Sequence, residues 1–371
     1  MIRITDPFPG AVLNRRNGRQ TESALYITVR GRAPHGQEVA VNGVPAVRTG
    51  EEFAAEIPLT RGEADIVAVA SGVEEASVRV VWDRHSRPRY RFAIDDNSYF
   101  LRDIARAGYR SLFDCFYLAM LRDLNRQYGA KFVLNCFNQT PENDFRLSQF
   151  PDRYRSEWRD NAGWLRLAFH ARAEFPDRPY QDAPPEQLAA DLDLVAEQIA
   201  RFAGPEAYSP PTVIHFAMCR PEALPVLAAR GVTALSTALR RLHSKSWAPA
   251  APGEADEAEG EWDLNYRLDD AVCQYLADHD AWKDFATGIV FSNIDLVCNL
   301  TPADQVASRL EQVTSRPETA EVLDLFTHEQ YTWPFYKNYL PDHPRRIEAA
   351  IRWVSQHGYE PVFFHDGLLG G

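Results

Sequence analysis

Paired cysteines, long apolar runs and an excess of basic residues are all missing from this sequence of 371 residues. The 5 cysteines are odd in number, widely spaced and set in apolar surroundings, which favours buried thiols over a disulfide framework or a zinc cage. No apolar run reaches the ~18 residues that a membrane-spanning helix needs. The start lacks the basic and apolar regions of a signal peptide. We therefore expect a soluble, cytoplasmic protein.

The charge balance is acidic, with 52 Asp and Glu residues against 40 Lys and Arg residues and a formal net charge of −12. Such a balance argues against a general binder of nucleic acid or of anionic membranes, and a neutral substrate suits it better. A glycine-rich phosphate loop is also missing from the second part of the chain, so no nucleotide is expected. Nothing in the sequence sets the oligomeric state.

The first part of the chain, residues 1–85, consists of short alternating apolar and polar runs separated by turn signals such as Asn42-Gly43. This pattern predicts a β-sandwich. The segments 29–36, 41–45 and 57–62 resemble the bacterial immunoglobulin-like domains appended to carbohydrate-active enzymes. The resemblance implies a spacer or docking module without chemistry of its own.

The pattern changes after the polar linker 83–89, because strand-like runs then alternate with helix-like runs. About seven or eight such units over residues 86–371 predict a parallel sheet, most economically a distorted α/β barrel. An open doubly wound sheet is the alternative. The acidic, proline-rich segment 247–260 is expected to be a surface insertion.

Asp95 and Asp96 directly follow the first apolar run of the second part, residues 92–94. In a β/α protein they would lie at the carboxyl end of a strand, where loops build functional sites. The structural alternative is that Asp95 caps the next helix and Asp96 is solvated.

A second polar cluster follows the apolar run 165–169, where His170 is succeeded by Glu174. One helical turn after His170 would bring the two side chains to about 6 Å, close enough to share a metal ion with an oxygen of the aspartate pair. A capping glutamate and a buried structural histidine are the alternative. His215, on a predicted strand, is a second candidate ligand, although a histidine within a strand is more often structural.

The third cluster follows the apolar run 322–326, which leads into His328. A histidine with a pKa near 6.5 is suited to proton donation at neutral pH. The aromatic residues behind it suit the apolar faces of sugar rings, although plain loop packing is also common for them. The candidate substrate-binding residues are Tyr331, Trp333 and Tyr336.

The order of these clusters resembles the polysaccharide deacetylase superfamily, the NodB-homology esterases on a distorted barrel. The resemblance spans roughly residues 89–364 and departs from the family pattern at two places. Glu174 stands where the family has a second histidine, and the late motif reads Phe-Thr-His instead of Leu-x-His. The roles implied by the resemblance are general base for Asp95, metal ligands for Asp96, His170 and Glu174, general acid for His328, and orientation of the base for Arg220.

The resemblance implies a metal-dependent hydrolase that removes an N-acetyl or O-acetyl group from a carbohydrate. The expected ion is divalent zinc, with cobalt, nickel or manganese as alternatives. One rival is a glycoside hydrolase that uses two carboxylates, such as Asp96 and Glu174, without a metal. Another is a non-catalytic glycan-binding protein.

Overall fold

The computed structural model describes residues 1–71, 74–243 and 260–369, so the predicted insertion lies outside the described residues except at Gly260. The first part of the chain forms two five-stranded sheets, in the orders β1-β4-β8-β7 with β3 beside β4, and β2-β10-β9-β5-β6. These strands are β1 (Arg3–Asp6), β2 (Val12–Leu13), β3 (Arg19–Gln20), β4 (Leu25–Arg32), β5 (Val39–Val41), β6 (Val44–Pro45), β7 (Val47–Thr49), β8 (Glu52–Leu59), β9 (Glu63–Ala70) and β10 (Glu74–Trp82).

Alternation of side chains builds the core between these two sheets. In β4 the buried residues Leu25, Ile27 and Val29 alternate with more exposed neighbours, as expected when one face of a strand is covered. They join side chains of the other sheet, such as Ile66 and Val80, in one hydrophobic cluster. Short strands therefore occur where the alternation predicts them. The immunoglobulin-like assignment and the boundary near residue 85 stay predictions.

The second part of the chain contains a parallel sheet in the order β13-β12-β11-β20-β19, with β21 also beside β11. A smaller sheet pairs β14 in parallel with β18, and β17 runs antiparallel to β18. The strands are β11 (Arg89–Asn97), β12 (Phe132–Phe137), β13 (Leu165–Ala171), β14 (Ala234–Thr237), β15 (Arg240–Arg241), β16 (Trp262–Asp263), β17 (Ala281–Lys283), β18 (Val290–Asn293), β19 (Leu296–Val297), β20 (Val322–His328) and β21 (Glu360–Pro361).

Two connections close these sheets into a distorted barrel. On one side, β18 continues into β19, so the same stretch of chain pairs first with β14 and then with β20. On the other side, the irregular segment 208–214 lies between β13 and β14. The amide of Ser209 donates to Leu167 in β13, and Thr212 accepts a hydrogen bond from Ser236 in β14. The predicted barrel is thus present, with one irregular wall.

Helices surround this barrel, and the fourth shows how the sequence forms them. It begins at Pro185, whose fixed φ suits the first turn. It buries Leu188, Leu192, Val195 and Ile199 at helical spacing and packs against β13. The helices are α1 (Tyr99–Ala107), α2 (Phe116–Tyr128), α3 (Arg155–Asn161), α4 (Pro185–Phe202), α5 (Leu224–Ala228), α6 (Asp270–Asp278), α7 (Val306–Thr314), α8 (His343–Gln356) and α9 (Phe364–Gly367).

Two element predictions are wrong. The helix-like segment 101–128 is broken, because Gly108 ends α1 with a left-handed φ of 64°. Residues 212–219 form no strand in the structure. They contain a short 3₁₀ turn, His215–Ala217, with positive φ at Phe216 and Ala217. In the described parts of the chain, no helix is both long and apolar enough to cross a membrane.

The first part of the chain is attached to the barrel by specific contacts. Arg15 and Arg16 both donate to the fully buried Glu321, which precedes β20. Ala11 forms a β-bridge with Trp282 in β17. Gly10, with a φ of 84°, lies so close to Trp282 that a Cβ would be 2.2 Å from the indole nitrogen. Only glycine fits this junction.

Candidate metal centre

Strand β11 carries both aspartates to the carboxyl end of the barrel. Its nine residues are all buried, and Asp95 is the register partner of His328 at the end of β20. The next residue, Asp96, has a left-handed φ of 61°. Aspartate is one of the few residues other than glycine that tolerates this conformation, and strained backbone of this kind clusters at functional sites. The two carboxylates therefore face different surroundings.

Asp96, His170 and His215 form a buried triangle of possible ligand atoms. His170 Nε2 lies 3.2 Å from Asp96 Oδ1, and His215 Nδ1 lies 3.6 Å from the same oxygen. The two imidazole nitrogens are 3.0 Å apart. His170 comes from the end of β13, and His215 comes from the 3₁₀ turn that follows the irregular segment 208–214. Three different elements thus converge on one point.

The triangle has the dimensions of a tetrahedral metal site. Bonds of about 2.0–2.1 Å to a tetrahedral ion would separate the ligand atoms by about 3.3 Å, close to the separations between these atoms. Asp96 Oδ1 is buried and has no well-directed hydrogen-bond donor. His215 Nε2 lies 3.3 Å from the main-chain oxygen of Glu174. A proton on Nε2 leaves the Nδ1 lone pair facing the triangle, as a metal-binding histidine requires.

The electrostatics of the triangle keep its carboxylate ionised and the His215 ring neutral. Burial, and then His170, lower the pKa of His215 to about 3, which keeps this ring neutral. Burial alone would raise the pKa of Asp96, but the surrounding histidines, His328 first, hold it below its ordinary value. Burial opposes protonation of His170, whereas Asp95 and Asp96 raise its pKa overall. The donor set of two imidazoles and one carboxylate suits a divalent ion such as zinc.

Glu174 does not bring its carboxylate into the triangle. The helical turn expected after His170 is absent from the described residues 172–184, which form bends and turns. The carboxylate instead accepts a 2.8 Å hydrogen bond from Gln330 Nε2. Burial and then Asp96 raise the pKa of Glu174 to about 7. The main chain of Glu174 contacts His215. In the triangle, the His215 ring stands where the Glu174 carboxylate was expected.

Asp95 is oriented by Asn135, a residue that the sequence analysis missed. Asn135 Nδ2 donates a 2.6 Å hydrogen bond to Asp95 Oδ1 from the neighbouring strand β12. The available signal was a single amide side chain in the otherwise apolar run 132–137. The structure does not bring Arg220 to this place. Arg220 is 41% exposed at its side chain and pairs with Glu222 at 3.3 Å.

His328 lies beside the triangle in a defined orientation. Its Nδ1 is 3.0 Å from Asn299 Oδ1, so a proton on Nδ1 is held by the amide. Its Nε2 is 4.0 Å from Asp96 Oδ2, and its side chain is 27% exposed. The ring can therefore be reached from the cavity. Asn299 is the second residue that the sequence analysis missed.

The predicted aromatic residues divide into two groups. Tyr331 and Tyr336 line the cavity above the triangle, with their rings edge to face at 5.4 Å. Trp333 does not line it, because its ring is buried and its indole N–H donates to Glu329. The cavity measures about 370 Å³, within the range of small-molecule sites. Asp95, the triangle and His328 lie together on its polar side.

The site thus combines a buried Asp-His-His triangle, a second aspartate and a reachable histidine at one end of a distorted barrel. Similar solved structures include a peptidoglycan N-acetylglucosamine deacetylase, with 9% identity over 75% of this chain and 86% of that chain and a TM-score of 0.38. Another is a family 4 acetyl xylan esterase from Clostridium thermocellum in complex with a cobalt ion, with 11% identity, coverage of 74% and 86%, and a TM-score of 0.33.

A third similar structure is a CE4 family pseudoenzyme from Bacillus anthracis, with 8% identity, coverage of 75% of this chain and 64% of that chain, and a TM-score of 0.32. These proteins are of the class that the sequence resemblance names. No protein-family model matches the chain. No curated protein matches it either.

Proposed function

We propose that the protein is a metal-dependent hydrolase that removes an acyl group, N-acetyl or O-acetyl, from a carbohydrate. The observation that carries this proposal is the buried triangle of Asp96, His170 and His215, flanked by Asp95 and His328. Acyl-transfer hydrolysis needs a charge-stabilising centre, a proton acceptor and a proton donor within one cavity. Candidates for all three line this cavity.

The triangle would hold the divalent ion. When bound, such an ion polarises the scissile carbonyl and makes a water molecule more acidic. His215 is kept in the required tautomer by the main chain of Glu174, and His170 is fixed by the end of β13. Zinc, cobalt and nickel suit two imidazoles and one carboxylate, whereas manganese favours more oxygen ligands.

Asp95 serves as the proton acceptor. Asn135 donates to one of its oxygens and orients the carboxylate without neutralising it. Asp95 also lines the cavity, so its remaining lone pairs can accept a proton from an attacking water.

His328 serves as the proton donor to the leaving group. Asn299 holds the Nδ1 side of the ring, so the Nε2 side faces Asp96 and the cavity. A protonated imidazole at this position would transfer its Nε2 proton to the departing oxygen or nitrogen. Tyr331 and Tyr336 supply aromatic surface for a sugar ring beside it.

The glycosidase alternative has less support. It would need the carboxylates of Asp96 and Glu174 to act on the substrate directly. Asp96 faces His170, His215 and His328 within 4.0 Å, an arrangement for holding a cation. Glycan binding without catalysis does not require Asp95 and His328 to be oriented beside a possible metal site.

The test is metal analysis by mass spectrometry together with acetate release from acetylated sugars. Protein offered zinc, cobalt, nickel and manganese is expected to hold about one ion per chain. His215→Ala is expected to lose the ion, whereas Glu174→Gln should keep it, because the main chain of Glu174 is unchanged. Absence of any bound metal in the wild-type protein would overturn the proposal and favour the glycosidase.

A further inference from the structure

We infer that the site also removes acyl groups longer than acetyl and prefers them, butyryl and hexanoyl among them. This inference rests on the proposed hydrolase function. It comes from the side of the cavity that the mechanism does not use. That side, the apolar wall, is formed by Ala238, Leu264, Ile294, Val297, Leu300 and Phe326.

The apolar wall is a continuous surface built by neighbouring elements. Val297 in β19 is the register partner of Phe326 in β20, and both pack with Ile294 in one buried hydrophobic cluster. The amide of Ala238, just after β14, donates a 3.0 Å hydrogen bond to the main chain of Leu264. Strand ends of the barrel thus fix this surface in place.

The wall begins at the reacting groups and extends to the mouth of the cavity. The ring of Phe326 lies 4.9 Å from the ring of His328. Phe326 is buried, whereas Leu300 is 40% exposed, so the wall meets solvent at Leu300. A chain attached to a carbonyl near His328 can therefore run along the wall toward Leu300.

The chemistry of the wall selects an alkyl chain over a sugar ring. A sugar hydroxyl placed there would leave water without gaining a side-chain partner, which is unfavourable. Apolar groups are in contact only within about 4.0–4.5 Å, so an acetyl methyl would reach a small part of this surface. Further methylene groups would cover the remainder.

The inference predicts a dependence of turnover on chain length. With 4-nitrophenyl acetate, butyrate, hexanoate and octanoate as substrates of the metal-loaded protein, kcat/KM should rise about fourfold per methylene, the factor given by ~0.8 kcal/mol of burial. The rise should level off once the chain passes Leu300 and its further methylene groups stay in solvent. A preference for acetate that declines with each added methylene would overturn the inference.

A variant and a binding measurement complete the test. Ala238→Phe should lower the hexanoate-to-acetate ratio of kcat/KM at least about tenfold. Ala190→Phe, on the exposed face of α4, should leave that ratio unchanged. Calorimetry with hexanoate and acetate provides a readout without turnover, and tighter binding of hexanoate is expected. If no ester is hydrolysed, the proposed function fails, and equal binding of both acids would overturn the apolar wall as an acyl site.

Discussion

Asp95 and Asp96 are adjacent in the chain, yet their side chains have different partners. Asp95 accepts a hydrogen bond from Asn135, whereas Asp96 lies against His170 and His215. The left-handed backbone at Asp96 separates the two carboxylates. The two carboxylates therefore have the different surroundings that the proposed roles of proton acceptor and metal ligand require.

We expect the two aspartates to fail differently when each is changed to asparagine. Asp95→Asn should keep the metal and lose about 10²- to 10⁴-fold in rate, the usual loss for a general base. Asp96→Asn should weaken metal binding first, so excess metal should partly restore turnover. The measurement is a metal titration of activity with direct metal analysis. If Asp95→Asn lost the ion and Asp96→Asn kept it, the two roles would be reversed.

The sequence indicated which residues lie at strand ends, because the end of a largely apolar run at a polar residue predicts the end of a buried strand. Asp95, Asp96, His170 and His328 all follow such runs, and all of them line the cavity. The sequence could not decide whether His215 is a ligand or a structural histidine, because its 3₁₀ turn has no periodic sequence pattern.

Asn135 and Asn299 were missed for a related reason. Each contacts a candidate catalytic side chain from another strand or loop. Such pairings depend on strand order and register, which local sequence does not specify.

At the scale of elements, Glu329 links the start of α1 to the end of β20 by hydrogen bonds, and these two segments adjoin the aspartate pair and His328. It follows His328, and its carboxylate accepts hydrogen bonds from the main-chain amides of Ser98 and Tyr99 at 2.7 and 3.0 Å. Phe100 and Trp333 also donate to it. The start of α1, just after the aspartate pair, is thereby fixed relative to the end of β20. Burial raises the pKa of Glu329 to about 7 despite these donors.

Glu329→Ala is therefore expected to reduce both stability and turnover. The buried donors would lose their acceptor, which costs about 3 kcal/mol. A shift of His328 relative to Asp96 by about 1 Å would lower kcat about 10²-fold. Urea unfolding and steady-state kinetics at saturating metal would measure both effects. Trp333→Phe, which removes one donor, is the milder control, and an unchanged kcat in folded Glu329→Ala would show that the tie is only structural.

At the same scale, the helix-like run 186–202 and the strand-like run 320–327 predict α4 and β20, because their patterns are strong. Leu188, Leu192 and Val195 repeat at helical spacing. The run before His328 is apolar except at Asp324 and Thr327. The segment 212–219 was predicted as a strand because it is largely apolar. Its conformation instead follows from the gap between β13 and β14, a tertiary constraint that no local pattern contains.

At the scale of the whole molecule, the described residues among the first 85 supply packing, and none of their side chains lines the cavity. The described residues that line the cavity lie between Asp95 and Tyr336. The contacts to the barrel include Glu321 and a stacked pair of rings, Phe8 and Tyr275, with centroids 4.7 Å apart. The alternation of short runs indicated separate strands here, but not this attachment. Nothing in the local sequence marks Arg15 and Arg16 as partners of a buried carboxylate.

The pair Arg15 and Arg16 gives a prediction for stability. Changing both to alanine would leave Glu321 buried without its cations, and we expect a loss of about 3 kcal/mol in the free energy of unfolding. Urea unfolding at neutral pH measures it. The matched control is Arg19→Ala with Arg32→Ala, which removes two exposed ion pairs and should cost less than about 1 kcal/mol in total. Equal losses in both variants would show that the junction contributes nothing special.

The effect of the junction should depend on pH in one direction. Burial favours a raised pKa for Glu321, but the hydrogen bonds from Arg15 and Arg16 hold its pKa below the ordinary 4.5. A carboxyl group with a lowered pKa stabilises the fold above its unfolded pKa and loses that contribution as pH falls through its folded pKa. The difference between wild type and the double variant should therefore be complete at neutral pH and should shrink below pH 4.5. A difference that grew on acidification would contradict the assignment.

The left-handed backbone at position 96 also limits which residues selection can accept there. Glycine, asparagine and aspartate tolerate a φ of 61° well. Of these three, aspartate alone offers an anionic ligand. A saturation library at this position, sorted for folding, should return all three residues, and sorting for metal content should return aspartate alone. Glutamate, the nearest chemical substitute, should be recovered in neither sort. The main-chain conformation and the chemistry of the ion together therefore permit only aspartate at this position.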